Sequence, residues 1–370
     1  MTISDPTPPL PIEYGYFDAD GPHGTTRDEL ARVCREDLIP RLVWTPESPE
    51  PVPPEEVPFL LDAIRARLAG GAKTQAIIVG TIVAVLAFQR FQEGQLRPGS
   101  PWLVYLLFGV VWAGLRVREW HTSRTLTPQG FRDLVRQAEE AAVLRRVPVV
   151  YLRWVAGMMV LGGVAQWLAV QAGYPDHAQY AAAMVPSEIR DGHGWRLLTC
   201  GFVHANLIHF GVNFMALLSL GRETEVLAHR AFVPLVFLAG VLAGSLASFA
   251  APPDASSVGS SGGLMGLIGF LAVLGYRRRE SMPSGFLNMV LLNVAVIAGI
   301  GIVGIGVIDN AAHGGGLAAG ALLGALFIPT FRARPVWTPG RALRAAGMAA
   351  MGILALGAAW TAVVVALPVL

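Results

Sequence analysis

Charge is scarce in this sequence: Asp, Glu, Lys and Arg make up 15% of 370 residues, against about a quarter in an ordinary soluble protein. Cysteine is scarcer. Cys34 and Cys200 are the only two, too few and too far apart for a disulfide scaffold or a metal cluster, so two unpaired thiols are expected. The opening stretch MTISDPTPPLPIEYGYF has no positive region followed by an apolar core and a small-residue cleavage site, so no removable signal peptide is expected. Insertion into a membrane would then fall to the later helices. The basic residues form no amphipathic stripe or aromatic-interleaved patch, which argues against nucleic acid as a partner.

Apolar residues are plentiful, at 53%. The charge that remains is unevenly placed: residues 1–73 hold seven basic and thirteen acidic side chains, and the remainder twenty-one and thirteen. Residues 1–73 therefore read as an acidic cytosolic region. Thr26 with Glu29 forms a capping box before a helix over 30–42, and a second short helix is predicted over 56–69, after the proline-rich stretch TPESPEPVPPEEVP.

Beyond residue 73, apolar runs near the roughly 20 residues needed to cross a bilayer recur. Spans are predicted at 155–173, 202–221, 231–250, 256–276, 286–303, 310–328 and 345–367. Two earlier segments, 76–92 and 101–117, read as a transmembrane hairpin, with residues 118–146 a basic linker. The predicted class is an all-α polytopic membrane protein embedded in a lipid bilayer.

Arginine placement orients it. Arg118, Arg124, Arg132, Arg136, Arg145 and Arg146 fall on one side, with Arg222, Arg230, Arg277, Arg278, Arg279, Arg332, Arg334, Arg341 and Arg344. The other side receives Arg90, Arg97, Arg190 and Arg196. Since cytosolic loops are enriched in Arg and Lys, the N-terminus is expected in the cytosol and the C-terminus outside.

Three polar sequences interrupt the spans at similar predicted depth. HANLIHFGVN supplies His204, His209 and Asn213; GSSGG supplies Ser260 and Ser261; DNAAHGGG supplies Asp309, Asn310 and His313. Ionisable side chains within spans face a bundle interior or a water-filled cavity. His209 and Asn213, four apart, share a helix face, while His204 falls at the loop junction, where it serves either to organise the loop or in the chemistry itself. Gly316, Gly320 and Gly324 make a flat packing strip after His313. Packed through such strips, two helices can bring Ser261 near His313.

A serine nucleophile needs a base that takes its proton and returns one to the leaving amine, and His313 suits both steps. Asp309, beside the outer boundary, reads as a helix N-terminal residue rather than a triad acid. Donors for the oxyanion would be the Ser261 N–H, Asn213 and His209. Zinc is the competing use of His209 and His313, but no compact HExxH-type set accompanies them. No metal is therefore predicted.

These residues resemble the rhomboid family of intramembrane serine proteases. The resemblance rests on Trp195-Arg196, on HANLIHFGVN over 204–213, and on the Gly221, Arg222, Glu223 and Glu225 region. It continues through a GxSG motif, Gly259-Ser260-Ser261-Gly262, to His313 with its glycine strip, and covers about residues 147–330. It implies a six-helix catalytic core with Ser261 as nucleophile, His313 as base, and His209 and Asn213 at the oxyanion. His204, Gly259, Gly262 and Met265 support them, and residues 331–370 add one more span. It implies transmembrane protein substrates cut near the extracytosolic side without a cofactor. The alternative is a non-proteolytic binding or quality-control factor on the same scaffold. A bacterial inner membrane is the expected location. Many members carry an aromatic residue four positions after the nucleophile, where this chain has Met265, a flexible thioether able to contact a ring.

Overall fold

In the computed structural model, which describes residues 13–97, 100–252, 255–330 and 339–368, Thr26 caps a helix as its spacing predicts. Its hydroxyl accepts the Glu29 N–H at 3.3 Å. The helix is shorter than expected. Helix α1 (Arg27–Arg32) gives way to a single π turn ending at Asp37, and the residues around it form strands. The proline-rich residues 1–12, Arg332 and Arg334 lie outside the described residues.

Strands β1 (Tyr14–Asp18), β2 (Gly21–Thr25), β3 (Val43–Thr45) and β4 (Ser48–Val52) make an antiparallel sheet ordered β2-β1-β3-β4. The first hairpin turns where Asp18 Oδ1 accepts the Asp20 N–H at 2.8 Å and Gly21 adopts a φ of 122°. Tyr16 and His23 pair across it and stack at 5.3 Å. The sequence led us to expect no strand here, and the helix predicted over 30–42 is confined to the segment between β2 and β3. Leu30, Cys34, Val43, Leu60, Ile64 and Phe131 form a core beneath it. Burial there pushes the Cys34 thiol pKa up to about 11.

The predicted segments 56–69 and 76–92 are one helix, α2 (Pro58–Gln92), 35 residues long. Its three interior glycines, Gly70, Gly71 and Gly80, each cost about 1 kcal/mol relative to alanine, too little to break so long a helix. Its first third buries Leu60, Leu61 and Ile64, while Ile77, Ile82, Val85 and Phe88 further along are exposed. Helix α3 (Pro101–Arg124) packs against it. Residues 1–139, which include most of α4 (Pro128–Arg146), make one compact unit, and residues 140–370 a second.

The second unit holds α5 (Tyr151–Gln171), α6 (Pro175–Tyr180), α7 (Pro186–Arg190), α8 (Arg196–Thr199) and α9 (Leu207–Leu227). It continues with α10 (Phe232–Ala250), α11 (Ser261–Arg277), α12 (Phe286–Val303), α13 (Asn310–Phe327) and α14 (Arg341–Ala366). Among the described residues of the chain, six helices are long and apolar enough to cross a membrane, and the bent pair Arg196–Phe202 and Leu207–Leu227 makes a seventh. This is a multi-pass membrane protein. Helices α11 and α13 are not among those six. α11 has only 17 residues but is buried along most of its length, so other helices, not lipid, surround it.

Glycine makes that burial possible. A Cβ at Gly240 of α10 would lie 2.7 Å from the Gly262 carbonyl oxygen of α11, and one at Gly244 would lie 2.8 Å from the Ala312 carbonyl of α13. Gly316 and Gly320 of α13 press on the Gly262 and Gly266 carbonyls in the same way. Three helices thus meet backbone to backbone.

The glycine-rich stretch 299–306 is helical through Val303, where the predicted span 286–303 ends, and the Gly304 N–H caps it on Ile300 O at 2.8 Å. In an apolar surrounding a helix satisfies its own backbone groups, which outweighs the glycine content of GIGIVGIGV.

Candidate active site

Helix α9 starts at Asn206, whose Oδ1 accepts the His209 N–H at 2.9 Å. That start turns His209 and, one turn later, Asn213 toward Gly259. A Cβ on Gly259 would lie 2.7 Å from His209 Cε1, 3.0 Å from its Nε2 and 3.6 Å from Asn213 Nδ2. Gly259 also has a φ of 121°, which side-chain-bearing residues rarely adopt. Both facts require glycine there. The buried Asn213 Nδ2 has no hydrogen-bond partner among the described residues.

Ser260 and Ser261 differ sharply. Ser260 is 0% exposed; its Oγ lies 3.4 Å from His204 Nε2 and 3.7 Å from Met159 Sδ. His204 Nε2–H donating to Ser260, whose hydroxyl donates to the thioether, satisfies both contacts. Ser261 opens α11 and is half-buried. Its N–H is one of the helix's first four, which have no partner within the helix.

His313 stands in the first turn of α13, half-buried. The chain neighbours of the two residues touch: a Cβ on Gly262 would lie 3.7 Å from Ala312 O. His313 and His209 are within electrostatic reach of one another. Asp309 is the α13 N-cap, accepting the Ala312 N–H at 2.8 Å, and its other oxygen accepts the Ser248 hydroxyl at 2.5 Å. Both oxygens are thus committed to holding α13 on itself and on α10. Asn310 Nδ2 donates to Gly301 O of α12 at 2.9 Å. Met265 is buried in the bundle core.

The remaining sequence features build the frame. Arg196 donates to Tyr180 O and Ala183 O, each at 3.0 Å, fixing the loop before α9. Glu225 accepts the N–H groups of Val150, Tyr151 and Leu152 at 2.6, 3.1 and 2.8 Å, and Arg222 donates to the carbonyls of Leu144, Arg145 and Val147. Together they secure the end of α4 and the start of α5.

Residues 191–330 match the family model of the Rhomboid domain. That segment is a rhomboid domain. RHOMBOID-like protein 4 of Arabidopsis thaliana is 30% identical over 140 residues, 38% of this chain and 36% of that protein. Rhomboid protease GluP of Bacillus subtilis (strain 168) is 36% identical over 138 residues, 36% of this chain and 26% of that protein. Rhomboid-like protease 1 of Toxoplasma gondii is 32% identical over 179 residues, 46% of this chain and 58% of that protein. The chain thus spans from about a quarter to somewhat over half the length of these relatives.

Within the rhomboid domain, His204 owes its position to a residue that sequence reading passed over. Gln166 of α5 accepts the His204 N–H at 2.8 Å and donates to His204 O and Ala178 O, each at 3.0 Å. A glutamine in the middle of an apolar span was the available signal. Gln166→Leu strands two His204 backbone groups, each costing about 1–3 kcal/mol when buried unpaired. The variant is expected to unfold at clearly lower denaturant concentration than wild type. An unchanged midpoint would mean that water replaces the amide.

Proposed function

We propose that this chain is an intramembrane serine endopeptidase that cleaves peptide bonds in or near transmembrane segments of membrane proteins, with Ser261 as nucleophile and His313 as base. The observation that supports the reading is the meeting of the His209 ring and the Asn213 amide at Gly259, two residues before half-buried Ser261, with the Gly262 backbone against Ala312, the chain neighbour of His313. Ser261 is favoured over Ser260 because a fully enclosed hydroxyl cannot meet a substrate. The Ser261 N–H, Asn213 Nδ2 and the His209 ring supply donors for the oxyanion. His204 holds Ser260 and the loop in place. The test is mass-spectrometric location of the cut in a single-span substrate, beside labelling by a serine-directed reagent. Substrate binding without cleavage across a broad panel would instead favour a non-proteolytic scaffold.

Substrate entry is assigned to α12. It leans chiefly on α11, and Met289, Leu291, Leu292, Ile302 and Val303 are exposed, so it is the least enclosed helix beside the site. A flexible thiol cross-link between outward positions of α9 and α12 is expected to block cleavage of a transmembrane substrate. Undiminished cleavage after complete cross-linking would rule out this route.

The arginine bias orients the protein with the N-terminus in the cytosol of a bacterial cell, in its inner membrane, and α2 and α3 as a transmembrane hairpin. Single cysteines near residues 180 and 280, in a background lacking Cys34 and Cys200, should label from opposite faces of intact cells. Labelling from one face would refute the orientation.

A further inference from the structure

Three segments distant in sequence meet at one end of the second unit: Tyr151 at the start of α5, His229 to Ala231 in the turn between α9 and α10, and the first two turns of α14. They line a cavity of about 350 Å³ whose walls carry three guanidinium groups, of Arg230, Arg341 and Arg344, and no carboxylate. No ion pair neutralises these arginines among the described residues. A cytosolic bias for arginine accounts for basic residues at this face. It does not account for three converging on one cavity against their mutual repulsion.

The start of α14 sharpens the point. Helix N-termini carry partial positive charge and unpaired N–H groups, so acids or capping side chains belong there. α14 has neither: Gly340 provides no side-chain cap, the first turn lacks an acid, and Arg341 and Arg344 occupy it. Close packing nonetheless holds the helix in place, since a Cβ on Gly347 would lie 2.6 Å from Ala231 O.

His229 is set as a donor. Its Nδ1 accepts the Ala231 N–H at 3.1 Å, which leaves the proton on Nε2. Burial, then Arg230 and Arg344, hold its pKa below the usual imidazole value, against the opposing pull of Glu225. Among the described residues Glu225 is the acid that acts on it, and its carboxylate is already engaged by three N–H groups at the start of α5. The Arg230 guanidinium lies over the Tyr151 ring, 5.4 Å from its centre.

We propose that this cavity binds the phosphate group of an anionic phospholipid, clasping the start of α14 to the α9–α10 turn and the start of α5. Guanidinium groups match phosphate oxygens in paired, charge-assisted hydrogen bonds, and basic pockets between transmembrane helices suit such headgroups. Exposed Met348 on the cavity wall gives an acyl chain an apolar path. The inference is independent of peptidase chemistry.

The test uses the full chain in phosphatidylcholine nanodiscs, with phosphatidylglycerol or inorganic phosphate added. Native mass spectrometry reads retained lipid, and thermal unfolding reads stabilisation. Wild type is expected to retain phosphatidylglycerol and gain stability, while Arg230→Gln/Arg344→Gln binds it at least tenfold more weakly. The charge-matched control Arg146→Gln/Arg279→Gln should bind like wild type. Arg344→Lys, which keeps charge but loses the planar fork, should fall between and guards against a folding defect. Stabilisation by inorganic phosphate alone, lost in the double variant, would support the phosphate site but overturn the lipid as its source. Equal phosphatidylglycerol binding by wild type and the double variant would overturn the proposal.

Discussion

Ser261→Ala and His313→Ala are each expected to reduce peptide cleavage below detection while leaving membrane insertion intact. The double variant should lose no more than either alone. Attack on a carbonyl by a neutral serine requires the hydroxyl proton to leave as the new bond forms, so nucleophile and base serve one step and their losses do not add. Removing Asn213 should behave differently. Its buried Nδ2 is one of three donors proposed for the oxyanion, and one such donor is worth about 10² to 10³ in kcat. Asn213→Ala should therefore retain slow, measurable turnover. All variants must be compared at equal amounts of folded protein. Cleavage by Ser261→Ala at the wild-type rate would move the nucleophile elsewhere, with Ser260 the first alternative to examine. Additive losses in the double variant would mean that His313 acts in a separate step.

The second large effect is expected from a residue with no chemistry of its own. An added Cβ at Gly320 would sit closer to the Gly266 carbonyl oxygen than real Cβ atoms come, so Gly320→Ala must move α13 away from α11. Overpacking usually costs about 1–3 kcal/mol, and here the obstacle is backbone that cannot rotate aside. Because Ser261 and His313 ride on these two helices, the displacement should reach the site. A shift of about 1 Å can lower a rate about 10²-fold. Gly320→Ala should therefore lower both the unfolding midpoint and the rate of labelling at Ser261. Gly314 on the same helix has open space around it, so Gly314→Ala should leave stability unchanged or slightly higher through helix propensity. Matching midpoints for the two variants would show that the α11–α13 contact is looser than described.

The membrane helices were legible because apolar length is a strong signal, and α10, α12, α13 and α14 begin and end within a few residues of the predicted bounds. The bend before α9 was less visible. Its cause is the Gly201 to Asn206 turn, held by Gln166 from a helix some 40 residues earlier, and periodicity does not report a contact of that range. The sheet over residues 14–52 was missed for a different reason. Tyr14, Tyr16, Val43 and Trp44 are good strand formers, but the strands are short, interrupted by Pro22 and Pro49, and their pairing is non-local. Gly15 supplied a faint clue, for a Cβ there would strike the Trp44 ring. Gly259, Ser261 and His313 were singled out by motif, with Ser261 already read as the nucleophile; what the sequence did not report is that Ser260 is fully enclosed while Ser261 is half-buried.

Helix α2 has a mechanical consequence. At about 1.5 Å per residue its 35 residues make a rod about 52 Å long, well beyond the roughly 30 Å of a bilayer's hydrocarbon core. After Pro58 at its first position no proline or loop interrupts it, and Leu60 and Ile64 near its start pack in the core beneath the sheet. The head is therefore keyed to the rod like a handle to a shaft: torque applied to the sheet is carried along α2 rather than dissipated at a joint. Any partner that grips the sheet would turn that apolar stretch with it.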